Sequence, residues 1–208
     1  MRTAEQIQFI SVDDYFRIEE HSATRNEYVN GWIRAMTGAT NRHNDIAVNI
    51  LISLGKKLTG KVCKPCNSDT KLRIRRNSAT WFYYPDVFVV CESNRPTESF
   101  QDRPVLIIEV LSPSTRAIDL DEKMMAYLTI DSLQTYVLLE QDKPHAIVFR
   151  RTEAGFLREV LEGLAASIDL PFLACELMFK EVYDGIEIPL PTVQEPAAEY
   201  QTRGDTSI

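Results

Sequence analysis

Two short apolar runs, each carrying a single acid, constrain this chain more than any other feature. Asp86 opens Val87-Phe88-Val89-Val90-Cys91, and Glu109 interrupts Val105-Leu106-Ile107-Ile108-Glu109-Val110-Leu111. Both runs are short, β-branched and bounded by proline and polar residues, which predicts buried β-strands. Being apolar on both faces, they predict a sheet covered by helices on both sides. A carboxylate inside such a strand is costly unless a cation or hydrogen bonds compensate it. Alternation puts Glu109 on the face of Ile107 and Val105, and Asp86 on that of Phe88 and Val90. If the two strands pair across the loop around residues 93–103, the acids converge at one end of the sheet.

The rest of the chain supplies elements to surround that pair. Ser11 reads as the N-cap of a short helix with Asp13 and Asp14 in its first turn. Asn30-Gly31 separates Glu27-Tyr28-Val29 from Trp32-Ile33-Arg34-Ala35-Met36, the strongest short hairpin signal, because both turn positions need positive φ. Ile46, Ile50, Leu51, Leu54 and Leu58 recur at helical spacing, with Gly60 as a stop. Strands are expected near residues 61–66, 70–75 and 81–84, and a helix over residues 116–130. Thr135-Tyr136-Val137-Leu138-Leu139 follows as a further strand, then a hairpin from Ala146–Arg150 and Phe156–Leu161. A turn at Pro171 and a short helix near Ala174–Phe179 come last.

The strand–helix–strand unit from Val105 to Leu139 predicts a right-handed crossover joining two parallel strands, whereas the hairpins are antiparallel. The whole is therefore expected to be a mixed-sheet α/β domain. At 208 residues, one domain over residues 1–185 is the default, and residues 186–208, rich in Pro, Gln, Glu, Ala and Thr, read as a poorly ordered tail.

Composition narrows the class. An apolar fraction of 44% and a charged fraction of 25% are those of a soluble globular protein. The first ten residues are too polar for a signal peptide, and no apolar run approaches the roughly 20 residues that span a bilayer. Four cysteines without a secretion signal are read as reduced thiols in the cytoplasm. Cys63-Lys64-Pro65-Cys66 has redox-dithiol or half-zinc-site spacing, but it opens no helix, and Cys91 and Cys175 have no close Cys or His partner in the sequence. Net charge is −7, yet Lys56–Arg76 alone carries +7, a local basic stripe that could track phosphates or be a solvated face.

Two carboxylates plus the Val110 carbonyl offer hard oxygen ligands suited to Mg²⁺. A cationic amine nearby would stabilise an oxyanion or orient water. Thr115, Asp119, Lys123 and Tyr127 are each four residues apart and form one helix ridge, so Lys123 can return to Glu109. The bland alternative is a solvent-exposed Asp119–Lys123 ion pair.

The strings YPDVFVVCE, PVLIIEVLSPSTRAIDLDEKMMAYL and TYVLLE resemble the Uma-type putative restriction endonucleases of the PD-(D/E)XK nuclease superfamily. The upstream NEYVNGWIRAMTGATNRHNDIAVNILISL resembles the same family, and the likeness covers about residues 10–180. It implies a restriction-endonuclease-like mixed β-sheet core with added N- and C-terminal hairpins, and Mg²⁺-dependent cleavage of nucleic acid, DNA foremost. Mn²⁺ would be a substitute ion, and a homodimer would let two sites cut both strands. Asp86 and Glu109 would be metal ligands and Lys123 the migrated catalytic lysine, since position 111 is Leu where the superfamily pattern has Lys. Glu27 and His43 would join the site, the alternatives being a solvated hairpin charge and a satisfied N-terminal histidine. Two rival functions stand beside the endonuclease: a catalytically silent nucleic-acid-binding or scaffold protein, and a redox protein built on Cys63 and Cys66.

Overall fold

The structure, a computed structural model, describes residues 9–188. The Ser11 hydroxyl accepts from the Asp14 N–H and starts α1 (Val12–His21). β1 (Asn26–Val29) and β2 (Trp32–Ala35) form the expected hairpin. Its turn residues Asn30 and Gly31 take φ of 45° and 100°, as that turn requires. Thr40 caps α2 (Asn41–Lys57), the longest helix described. Then come β3 (Lys64–Asn67), β4 (Lys71–Arg76), β5 (Ala79–Tyr83), β6 (Val87–Val90), β7 (Phe100–Gln101) and β8 (Pro104–Val110).

The helix predicted over residues 116–130 runs from Arg116 to Tyr127 in three continuous parts: α3 (Arg116–Ile118), a π-turn (Asp119–Lys123) and α4 (Met124–Tyr127). β9 (Thr135–Leu139), β10 (His145–Thr152) and β11 (Gly155–Glu162) follow, then β12 (Ser167–Leu170), β13 (Cys175–Met178) and α5 (Phe179–Val182).

The strands divide into two sheets and a hairpin. One sheet has order β2-β1-β5-β4-β7, the other β11-β10-β9-β8-β6-β3, and β12 pairs with β13. β6 and β8 pair antiparallel, and β8 and β9 parallel, as the crossover unit requires. Both large sheets are mixed, since β4–β7 is also parallel. The chain passes between the two sheets repeatedly; one passage lies between Tyr83 and Val87, where Pro85 cannot donate to a ladder.

The central sheet is buried on both faces. On one, Ile46, Ile50 and Leu54 of α2 pack on Val87, Val89, Leu106 and Ile108. On the other, Phe88, Val90 and Ile107 meet Tyr127 of α4 and Leu72 and Tyr83 of the first sheet. Glu109 and Ile107 lie on that second face, whereas Val105, expected beside them, packs on the α2 side. The ladder shifts register between Val89 and Val90, next to that end of β8, and breaks the alternation.

Two expectations need correction. Residues 175–178, assigned to a short helix, form β13, because Cys175–Met178 pairs with β12 and buries Leu177. Pro171 starts a short 3₁₀ turn that ends at Ala174 with φ of 49°, and the helix begins only at Phe179. The cysteines are not all reduced thiols without partners. Antiparallel pairing of Lys64 with Val90 brings Cys63 and Cys91 together as a disulfide, 28 residues apart in sequence. That bond also removes Cys63 from any dithiol with Cys66, whose thiol burial pushes up to about 11. Of the tail expected from residue 186, residues 189–208 lie outside the described residues, while Ile186 and Ile188 pack against the α2-side core. No helix among the described residues is long and apolar enough to cross a membrane.

Candidate active site

Asp86 and Glu109 stand one step beyond the last β6–β8 pair, Val87 opposite Ile108. Each acid binds the other's strand: the Asp86 N–H donates to Glu109 Oε2 at 3.2 Å, and the Val110 N–H to Asp86 Oδ2 at 2.8 Å. These reciprocal bonds compensate carboxylates that a buried strand would otherwise reject. The two acids therefore converge, as the sequence predicts.

Lys123 reaches Glu109 from the π-turn. Its Nζ lies 3.1 Å from Glu109 Oε1, 3.1 Å from Asp119 Oδ1 and 3.3 Å from Glu27 Oε1. The Asp119–Lys123 pair exists, but buried rather than exposed, with Lys123 only 6% and Asp119 2% accessible. Tyr127, one turn on, donates its hydroxyl to Glu109 Oε1 at 2.9 Å. The ridge Asp119–Lys123–Tyr127 thus faces the site as its spacing predicts.

Glu27 is not a solvated hairpin charge. It is buried beside Lys123 and accepts two bonds from Arg34, at 3.0 and 2.7 Å. Arg34 also reaches Glu122 at 2.9 Å, and Tyr83 donates to the same carboxylate at 3.0 Å. His43, in the first turn of α2, places Nε2 3.1 Å from Asp86 Oδ2 and is buried on the side of Ile46. All five residues singled out in the sequence, Glu27, His43, Asp86, Glu109 and Lys123, line one cleft of about 770 Å³. Asp119 and Tyr127, expected on the Lys123 ridge, complete the cluster together with Arg34 and Glu122, which were not singled out in the sequence.

The electrostatics follow from burial and a surplus of acids. Burial, Asp86 and Asp119 push the Glu109 carboxyl well above the usual carboxylate range, against the pull of Lys123. Burial alone would lower the Lys123 ammonium pKa, but Glu109, Glu27 and Asp119 outweigh it and raise it well above that of an ordinary lysine. Burial disfavours protonation of His43, yet Asp86 and the Val110 carbonyl tip its pKa upward.

Among the described residues, no group of three His, Cys, Asp or Glu side chains is arranged as a ready-made metal cage. What the site offers a cation is Asp86, Glu109 and the Val110 carbonyl. Asp86 uses Oδ2 for both its contacts, which leaves Oδ1 without a hydrogen bond among the described residues. Five acids here face two permanent cations, Lys123 and Arg34, so a hard divalent ion fits both the donor set and the charge.

Of the eight cations in the basic stripe, three pair with acids and a fourth with a backbone carbonyl. Lys57 pairs with Glu181, Lys71 approaches Glu19, Arg73 binds Asp102, and Lys61 donates to the Leu173 carbonyl. A second cleft, of about 740 Å³ and lined by Arg73, Arg75 and Arg103, contains none of the clustered acids. Two of its arginines are paired, with Asp102 and Glu92.

A family model described as "Uma2: Putative restriction endonuclease" matches residues 12–178. The chain is 32% identical over 147 residues to "Uncharacterized protein slr1290" of Synechocystis sp., spanning 70% of this chain and 76% of that one. It is 31% identical over 137 residues to "Uncharacterized protein sll1609" of the same organism, spanning 64% and 76%. Among solved structures, a putative nuclease belonging to DUF820 from Anabaena variabilis ATCC 29413 shares the fold. Its TM-score is 0.70 at 18% identity, over 86% of this chain and 99% of that one.

Proposed function

This chain belongs to the Uma2 family of putative restriction endonucleases, and from that membership and its clustered acids we propose a metal-dependent endonuclease that hydrolyses phosphodiester bonds of DNA. The observation that carries this reading is the junction of Asp86, Glu109 and Lys123, with Lys123 Nζ 3.1 Å from Glu109 Oε1. Asp86, Glu109 and the Val110 carbonyl would hold Mg²⁺, or Mn²⁺ in its place. Such an ion, when bound, acidifies water and offsets charge on the phosphate.

The remaining residues act on charge and orientation. Lys123 stays an ammonium at neutral pH, so it serves as a fixed positive charge for the reacting phosphate rather than as a base. Glu27, itself held by Arg34, grips that ammonium from the β1–β2 side, and His43 orients the Asp86 carboxylate. A homodimer would bring two such sites to the two strands of a duplex. The cytoplasm, where DNA is within reach, is the compartment we assign, although a Cys63–Cys91 disulfide is unusual there.

The test is cleavage of plasmid DNA with Mg²⁺ or Mn²⁺. The expected result is nicking by the wild type that is abolished in both Asp86→Asn and Glu109→Gln. Absence of cleavage at high enzyme concentration, with no ion binding by calorimetry, would leave the silent scaffold in its place.

A further inference from the structure

The π-turn that carries Lys123 has a partner outside its own helix. Tyr136, fully buried on β9, donates its hydroxyl to the carbonyl of Asp119, the first residue of the turn, at 2.9 Å. A π-turn closes through bonds to the fifth residue rather than the fourth, so it resets where later side chains point relative to earlier ones. That reset matters at Lys123, which ends the turn and meets Asp119 on its own helix, Glu109 on β8 and Glu27 on β1 together. The Tyr136 ring is fixed in turn, edge-on to Tyr127 at 5.3 Å and stacked on Phe149 at 6.0 Å. Its hydroxyl is therefore a rigid anchor reaching from the sheet to the helix.

We propose that Tyr136 is a positioning residue whose hydroxyl holds the π-turn in register and so sets the Lys123 ammonium on Glu109. The proposal rests on the nuclease reading of Lys123 for its effect on rate, but not for its effect on the turn. Packing alone would need only the ring, which Tyr136→Phe retains. Tyr183 is the matched control, because its buried hydroxyl donates to the Glu140 carbonyl at 2.7 Å and takes no part in the site.

The experiment compares wild type, Tyr136→Phe and Tyr183→Phe by steady-state DNA cleavage and by hydrogen exchange read by mass spectrometry. In Tyr136→Phe, kcat is expected to fall about ten-fold while KM for DNA stays within about two-fold, matching one lost hydrogen bond to a positioned group. Peptides covering residues 119–124 should exchange faster while those of β6 and β8 do not. Tyr183→Phe should leave kcat at the wild-type value. Wild-type exchange across the turn in Tyr136→Phe overturns the proposal, as does faster exchange with unaltered kcat, or an equal loss of kcat in both variants. If the wild type cleaves no DNA, the nuclease reading fails by itself, and exchange across the turn still decides whether the hydroxyl holds it.

Discussion

Arg34 bridges two acids that the fold buries or half-buries, Glu27 and Glu122. Arg34→Ala would strand Glu27, only 5% accessible, without the two donors on its Oε2 and among the other clustered carboxylates. With Arg34 itself about a third exposed, the expected loss is about 2 kcal/mol in urea unfolding, below that of a fully buried pair. Asp86 and Glu109 were legible in the sequence because a carboxylate has no place in an apolar strand without a purpose. Lys123 was legible through its four-residue spacing from Asp119. Arg34 was missed, although its signal was present: a two-residue Asn30-Gly31 turn fixes the register that puts Arg34 opposite Glu27. The π-turn left no such signal, since the spacing of Asp119, Lys123 and Tyr127 suits an ordinary helix equally well.

At the scale of elements, the helix from Arg116 to Tyr127 is moored at both ends. Arg116 binds Glu140 at 2.7 Å just beyond β9, and Tyr127 reaches Glu109 on β8. The hydrogen bond from Arg116 holds the Glu140 carboxyl below the usual carboxylate range. A depressed folded pKa contributes stability above the unfolded value and loses it as pH falls through the folded one. Arg116→Ala should therefore cost roughly 0.5 kcal/mol near neutrality, the guanidinium being half exposed, and the difference should narrow as pH falls below the ordinary glutamate value of about 4.3. Melting temperatures of both proteins across that range check it. Elements held by local pattern, such as α1, α2 and the two predicted hairpins, were legible. β7 and β13 were not, because each is short and exists only by pairing, β7 with the distant β4 and β13 with the short preceding strand β12.

For the molecule as a whole, the mixed α/β class was legible in the doubly apolar strands, but the division into two sheets was not. Which strands join which sheet is decided by tertiary packing as the chain passes repeatedly between them, which a periodicity does not record. The same applies to Cys63–Cys91, a pairing made by the β3–β6 ladder across 28 residues. Reducing it should cost roughly 3 kcal/mol, from the loop entropy restored to the unfolded chain. Chemical denaturation with and without dithiothreitol, with Cys63→Ser as the reference, measures that loss. The division into sheets bears on the minimal length of a working gene. Glu27 and Arg34 come from the first hairpin, while Asp86, Glu109 and Lys123 come from beyond α2. A shortened reading frame starting at α2 would retain both strand acids yet leave Lys123 with two of its three carboxylates, so residues 26–35 belong to the smallest complete version of the site.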